Sequence, residues 1–283
     1  MNSSVILCGV SAGFAILAVV SGDAFAQTTY QTPSTTTQPQ REHGNTSADD
    51  AKAKEIVDKL YSAAQADLAG HHYGEAAKAY DEAVRVLEKL YGANDARLVP
   101  ALNGVIQTRM AWDNYIAVTG ASNSAGLSNV VKAQEHIVKI DEQEGVDPKA
   151  RIAATIDLGD VYLYANDKRA IDTYKDAWQQ QAKLDSPQSA DALFGSVALV
   201  RLHLPANPLG HQEWTATVRY DVSADGRATV SDVSGTAPES LTSAISKSYS
   251  EAGFRPRFAA GEPVTTTGIS STHKYVATDR QQN

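Results

Sequence analysis

The 283-residue chain is 42% hydrophobic and 20% charged, proportions of a folded soluble protein long enough for about two domains. A formal net charge of −8 excludes a general attraction to nucleic acid, which needs a basic face to neutralise phosphates, and no local basic run stands out. The single cysteine, Cys8, lies in an apolar N-terminal run, leaving neither disulfide nor thiol chemistry to the rest of the chain.

That run extends from Val5 to Val20 and is followed by Ala24-Phe25-Ala26 before Gln27. Small residues three and one positions before a cut predict a signal peptide over 1–26 and a periplasmic or secreted mature protein. No Lys or Arg precedes the run, which leaves a second reading open, an uncleaved inner-membrane anchor with the chain facing the periplasm. The run is shorter than the roughly 20 residues that span a bilayer. Val5-Ile6-Leu7-Cys8-Gly9 loosely resembles a lipoprotein acylation site but stands too early in the chain. From 27 to 50 the chain is dominated by Thr, Gln, Ser and Pro, with almost nothing to bury, and reads as a disordered linker.

Helical periodicity then begins abruptly. Ile56, Leu60, Ala63, Ala64 and Leu68 recur at three- and four-residue steps, the spacing of one helix face, and Gly70 marks its end. A second helix opens near Tyr73-Gly74-Glu75 and carries Ala76, Tyr80, Ala83, Val84 and Leu87 to Tyr91-Gly92. Ala76, Tyr80 and Ala83 put two small residues and one ring on a single face, which lets a neighbouring helix approach closely and predicts a helical hairpin. Downstream, Leu158-Gly159-x-x-Tyr162 leads through Asn166-Asp167 to Ala170, Tyr174 and Ala177, repeating the Ala-x-x-x-Tyr-x-x-Ala spacing. Between the two copies, Val130, Val131, Ile137 and Ile140 keep helical spacing before Gly145 and Pro148 end that helix. About three hairpins are expected between Ala51 and His203.

These residues resemble the tetratricopeptide repeat, whose first helix carries Leu-Gly-x-x-Tyr and whose second carries Ala-x-x-x-aromatic-x-x-Ala. The first copy is also similar to the longer kinesin-light-chain variety. The resemblance implies all-α helical-hairpin repeats over 51–203 that hold a protein segment in a groove lined by their first helices. Asn103, Arg109 and Asp157 are the candidate groove contacts, with Tyr162 and Trp178 as further aromatic residues such a groove can use. Tyr80 and Tyr174 fall at the packing position between helices and are expected in the core.

A Pro and Gly cluster, Leu204-Pro205-Ala206-Asn207-Pro208-Leu209-Gly210, marks a linker over 204–212. Beyond it the period changes. Trp214, Ala216, Val218, Tyr220 and Val222 alternate with polar residues, as in a half-buried strand. Asp225-Gly226 supplies a tight turn, and Ala228, Val230 and Val233 continue on a returning strand. Thr236-Ala237-Pro238-Glu239 reads as a capping box with proline in the first turn, opening a helix that buries Leu241, Ala244, Ile245 and Tyr249. Phe254-Arg255-Pro256-Arg257-Phe258 and Gly261-Glu262-Pro263-Val264 follow, and a last strand is expected over Thr266 to Val276. The chain is of α+β class, its second part running strand, strand, helix, strand.

This order and its punctuation resemble the TonB C-terminal domain over Trp214 to Val276. The likeness is carried by the alternating strand, the Asp225-Gly226 turn, the Val-rich return strand, Leu241-x-x-Ala244, Phe254-x-Pro256 and Gly261-x-Pro263-Val264. Ser270-Ser271-Thr272-His273-Lys274 departs from the apolar alternation of that family's last strand. The resemblance implies a small α+β domain over 213–277, then a tail over 278–283, in which one sheet edge receives an extended peptide by strand addition. Thr266, Ile269, Ser271, His273 and Tyr275 are the candidate partner-binding positions, and a protein or peptide of the cell envelope is the expected partner. The alternatives are an edge blocked by its own chain or by a second copy, forming a homodimer. Gly226, Phe254, Pro256, Gly261 and Pro263 are expected to be structural: the glycines for turns, Phe254 beneath the helix, the prolines to fix crossings and turns.

Two functions follow from these resemblances. One is a non-enzymatic periplasmic adaptor; the other is a TonB-type energy transducer for outer-membrane transport, tethered by the N-terminal segment and in contact with the membrane only if that segment is retained. The long Pro-rich spacer of that family has no counterpart in 27–50. Nothing in the sequence calls for catalysis, a metal or a cofactor: no GxSxG, HExxH, P-loop or dinucleotide fingerprint occurs. His71-His72 point different ways in a loop, and the acid pairs Asp157 with Asp160 and Glu142 with Glu144 are expected on exposed helix faces.

Overall fold

A computed structural model of the chain describes residues 48–120, 126–143, 145–206 and 212–275. The expected signal peptide 1–26 with Cys8, nearly all of the expected 27–50 linker, Glu144, part of the expected 204–212 linker, Val276 and Ala277 of the expected 213–277 domain and the 278–283 tail lie outside these residues.

Helices come first, as successive pairs: α1 (Ala48–Ala69) with α2 (Tyr73–Tyr91), α3 (Val99–Thr119) with α4 (Leu127–Asp141), and α5 (Pro148–Tyr164) with α6 (Ala170–Leu184), followed by the short α7 (Pro187–Leu193). Each packs against the next in the chain. The linker expected to reach Asp50 therefore stops sooner, because Ala48–Asp50 already belong to α1. Pro148, expected to help stop α4, instead opens α5 at its first turn, where the missing N–H costs nothing and Asp147 caps the Lys149 N–H.

The small residues of the sequence pattern lie where helices meet: Ala64, Ala76, Ala83 and Ala177 are completely buried. The rings fill the space that this close approach leaves. Tyr80 of α2 rests against Gly104 of α3, and Tyr174 of α6 against Gly159 of α5; a methyl group on these glycines would stand 2.2 and 2.4 Å from the rings. Both tyrosines are core, as their position in the pattern requires. Two turns share a device that periodicity does not reveal. In Asn94-Asp95-Ala96-Arg97 and Asn166-Asp167-Lys168-Arg169, the aspartate accepts hydrogen bonds from the N–H and Nε of the arginine. Each guanidinium then covers a tyrosine of the preceding helix, Tyr91 or Tyr162.

The second region contains β1 (Ala198–Arg201), β2 (Trp214–Val222), β3 (Ala228–Gly235), α8 (Glu239–Ser250), β4 (Gly253–Arg255), β5 (Arg257–Ala259), β6 (Glu262–Val264) and β7 (Thr266–Tyr275). β3, β2 and β7 form an antiparallel sheet in that order, while β1 pairs with β4 and β5 with β6. The strand, strand, helix, strand order is thus supplemented by four short strands. β1 lies inside the span expected to be helical up to His203, and it pairs Leu199 with Phe254. Val200, Leu202 and Leu204 are buried at two-residue spacing, a strand pattern too short to separate from the neighbouring helices by sequence.

In β2, Ala216, Val218, Tyr220 and Val222 are buried in one core with Leu241, Ile245 and Tyr249 of α8. The capping box does not form. Pro238 is the residue before the first turn, and Thr236 Oγ1 instead accepts from the Thr215 N–H at 2.9 Å, tying the chain back to β2.

The two regions interlock through Phe254-Arg255-Pro256-Arg257-Phe258. Phe254 packs into the αβ core against Tyr220 and Tyr249, beneath the helix as expected. Phe258 goes the other way: it is 1% exposed within the helical core, its ring 4.9 Å from Phe194, and its N–H donates to the Phe194 carbonyl at 3.0 Å. The β5–β6 hairpin is fastened further by Ala260 N–H to Asp191, by Lys175 to Glu262 at 2.7 Å, and by Gly261 seated on the Trp178 ring.

Candidate functional site

β7 is an edge strand. It pairs with β2 from Trp214 opposite Tyr275 to Val222 opposite Thr266, and among the described residues no strand pairs with its other side. Its register is unbroken from Ile269 to Tyr275. The one irregularity precedes that stretch, where Gly268 at φ 71 donates its N–H to Asp221 Oδ1 at 2.8 Å. The opposite edge, β3, is bulged between Val230 and Asp232 and has α8 beside it, features that blunt an edge.

The five candidate positions on β7 do not present their side chains to a partner. Ile269, Ser271 and His273 are half-buried and Tyr275 is buried. His273 Nε2 lies 2.6 Å from the Tyr249 hydroxyl of α8, and Tyr275 belongs to the αβ core. Burial lowers the His273 pKa from its ordinary value, so the ring is held neutral. Thr266 stands before the irregularity with its hydroxyl buried. In the regular stretch from Ile269, Ser270, Thr272 and Lys274 are the exposed side chains, and Thr272 Oγ1 meets Thr217 Oγ1 at 2.9 Å on the open face of the sheet. What the edge offers is main-chain N–H and C=O groups in an extended row.

The groove candidates are redistributed. Arg109 is 8% exposed, and its Nη2 lies 2.6 Å from Asp81 Oδ2, so it ties α3 to α2 instead of facing a ligand. Asn103 is half-buried on α3. Tyr162 is buried with its hydroxyl donated to Glu135, and Trp178 donates to Asp191 at the β5–β6 hairpin. Asp157 has a buried Oδ1 that makes no hydrogen bond.

Of Asp157 and Asp160, both expected on an exposed face, Asp160 is turned inward and Asp157 is half-buried. Asp160 is 4% exposed, accepts from the Tyr174 hydroxyl at 2.5 Å and lies 3.5 Å from Arg255 Nε of β4. The reason is α5 itself: from Ile152 to Tyr164 it buries every residue except Ala153 and Asp157, so Asp160 has no solvent face to occupy while Asp157 stands half-buried on the one open stripe. Burial raises both carboxyl pKa values, that of Asp157 to about 8, with the Asp160 charge adding to the shift and Arg255 opposing it.

Of the structural candidates, Gly226 (φ 79) does more than turn the chain. Its carbonyl accepts from the Phe254 N–H at 3.0 Å, and a methyl group there would stand 2.2 Å from the Phe254 oxygen. Pro256 is buried and Pro263 pairs opposite Phe258. A cleft of about 260 Å³ is lined by Arg201, His203, Ser248 and Glu251. Arg201 there donates to the Tyr164 and Glu251 carbonyls and to Asn166, joining the two regions. His203 Nε2 lies 3.7 Å from Asp113, and burial lowers its pKa. His72 sits beside Asp67 at 3.5 Å in an exposed turn. Among the described residues no three His, Cys, Asp or Glu side chains are grouped to hold a metal ion, and no helix is long and apolar enough to cross a membrane.

Compared with models of known protein families and with curated proteins, the sequence matches none.

Proposed function

We propose that the chain is a non-enzymatic interaction protein of the cell envelope, whose TonB-like αβ region pairs with an extended peptide along β7 while its tetratricopeptide-like helices hold a protein segment. The observation that carries this reading is the regular backbone of β7 from Ile269 to Tyr275, with no described strand along its outer side. Because the inward side chains are engaged by the protein's own core, affinity comes from main-chain hydrogen bonds, and selectivity from contacts beside Ser270, Thr272 and Lys274 on the open face. The envelope location rests on the N-terminal segment and its Ala24-Phe25-Ala26 cut. In the helical groove Asn103 and the half-buried Asp157 stand as the candidate contacts, since Arg109 is paired with Asp81 inside the protein.

The test uses the full chain. Short peptides selected from a display library should slow hydrogen exchange of β7 amides and leave those of the α1–α2 pair unchanged. Neighbouring N–H groups of a strand point to opposite sides, so one of Ser270→Pro and Ser271→Pro removes an outward donor and the other a bond to β2. The outward substitution should preserve the fold and abolish peptide protection. Peptides that bind while β7 amides exchange as in the free protein would overturn the proposal.

A further inference from the structure

The open face of the β3–β2–β7 sheet carries its charge unevenly. Along the regular stretch of β7 the side chains on that face are Ser270, Thr272 and Lys274, one cation and no acid. In the register with β2, Arg219 stands opposite Ser270, Thr217 opposite Thr272 and Thr215 opposite Lys274. Arg219 and Lys274 are exposed, and among the described residues the side chain of neither has an ion-pair or hydrogen-bond partner. The acids of the face lie outside this stretch of edge: Asp232 opposite Arg219 on the far strand β3, Asp221 with its Oδ1 on the Gly268 N–H, and Glu213 ahead of β2. In a chain with 33 Asp and Glu against 25 Lys and Arg, an edge that shows only cations is a local departure.

A strand added outside β7 would lie about 4.8 Å from it and about 10 Å from β2. On the open face its residues at i, i+2 and i+4 stand beside Ser270, Thr272 and Lys274. The residue opposite Lys274 meets the ammonium directly. The residue opposite Ser270 is within range of Arg219, because serine is too short to fill the space above it and the long arginine stem can cross. Opposite Thr272, whose hydroxyl is joined to Thr217, no charge is called for. Opposite charges on neighbouring strands favour pairing and like charges oppose it. We propose that the strand received by β7 is acidic: an extended peptide with carboxylates four residues apart, facing Lys274 and Ser270, and a small polar side chain between them. The proposal rests on strand pairing along β7 and adds the chemistry of the partner. The pattern is symmetric, so it reads the same whichever way the peptide runs.

The test uses the full chain and two end-blocked peptides of alternating valine and threonine, one with glutamate and the other with lysine at two positions four residues apart. Fluorescence anisotropy gives the affinities, and hydrogen exchange of β7 amides gives the place of binding. The glutamate peptide should protect β7 and bind about tenfold more tightly than the lysine peptide at low salt. Both ion pairs are exposed, so the gap should close at about 1 M salt, where the Debye length is about 3 Å. Arg219→Glu combined with Lys274→Glu, two exposed substitutions, should reverse the order of the peptides. Equal affinities at low salt with β7 protected would refute the acidic preference and leave strand pairing standing. Failure of both peptides to protect β7 would overturn the two together.

Discussion

Phe258 is the residue on which the unity of the molecule can be measured. It follows the sheet strands β2 and β3 in sequence yet sits in the helical core at 1% exposure. Truncation to alanine removes an aromatic side chain of roughly 150–200 Å² from a fully buried position, about 4 kcal/mol at about 25 cal/mol per Å². Loss of the ring pair with Phe194 adds about 1 kcal/mol, and buried Phe→Ala changes in general cost about 3–5 kcal/mol, so about 4 kcal/mol is expected. Urea denaturation of Phe258→Ala, followed by helical circular dichroism, reads this out. With a slope of about 2 kcal/mol per molar, the midpoint of helix unfolding should fall by about 2 M. Exposed Ser234→Ala on β3 serves as the neutral control. An unchanged helical midpoint in Phe258→Ala would refute the reasoning, because it would mean that the β5–β6 hairpin only leans on the helices.

Two further outcomes follow from particular contacts. Gly159→Ala places a methyl group 2.4 Å from the Tyr174 ring, and Tyr174 is completely buried, so about 1–3 kcal/mol of stability should be lost in thermal unfolding; a variant as stable as the wild type would show that α5 and α6 do not approach as described. His273, held neutral by burial, has a folded pKa below its unfolded value. Its contribution is therefore present above about pH 6.5 and lost as pH falls through the folded value, so β7 amides should lose protection in mild acid. His273→Gln, which keeps a partner for Tyr249 but does not titrate, should flatten that loss.

The helical pairs were legible because their contacts depend on residue size at fixed spacing: Ala76, Tyr80 and Ala83 in one copy and Ala170, Tyr174 and Ala177 in the other are all buried. The β2–β3 hairpin was legible for the corresponding reason, its two-residue alternation and the Asp225-Gly226 turn. Strands of three or four residues, such as β1, β4, β5 and β6, have no period to read. Asp160 was misplaced because acidic residues are rarely buried, and the prior for exposure outweighed the apolar surroundings of its side of α5; Asp157, on the half-open stripe, was misplaced only in part. In the candidate edge, sequence located the strand, but only the sheet order and the His273–Tyr249 contact separate the backbone it offers from the side chains it keeps.

The Pro and Gly cluster over 204–212 marks a change of composition and not a boundary of packing. A cut there would strip the αβ core of Leu202, Leu204 and β1, and the helical core of Phe258. Core membership passes from the αβ core at Phe254 to the helical core at Phe258 and back to the αβ core by Ile269 and Tyr275, so neither region retains its full core alone. The crossing also joins the contact between the two regions to the proposed binding edge. β6 ends at Val264 and β7 begins at Thr266, leaving Thr265 as the one residue between a hairpin fastened to α6 and α7 and the strand that would receive a peptide. The regular stretch of β7 from Ile269 thus begins only four residues after Thr265, with Gly268, at φ 71 and bonded to Asp221, as the irregular step between them.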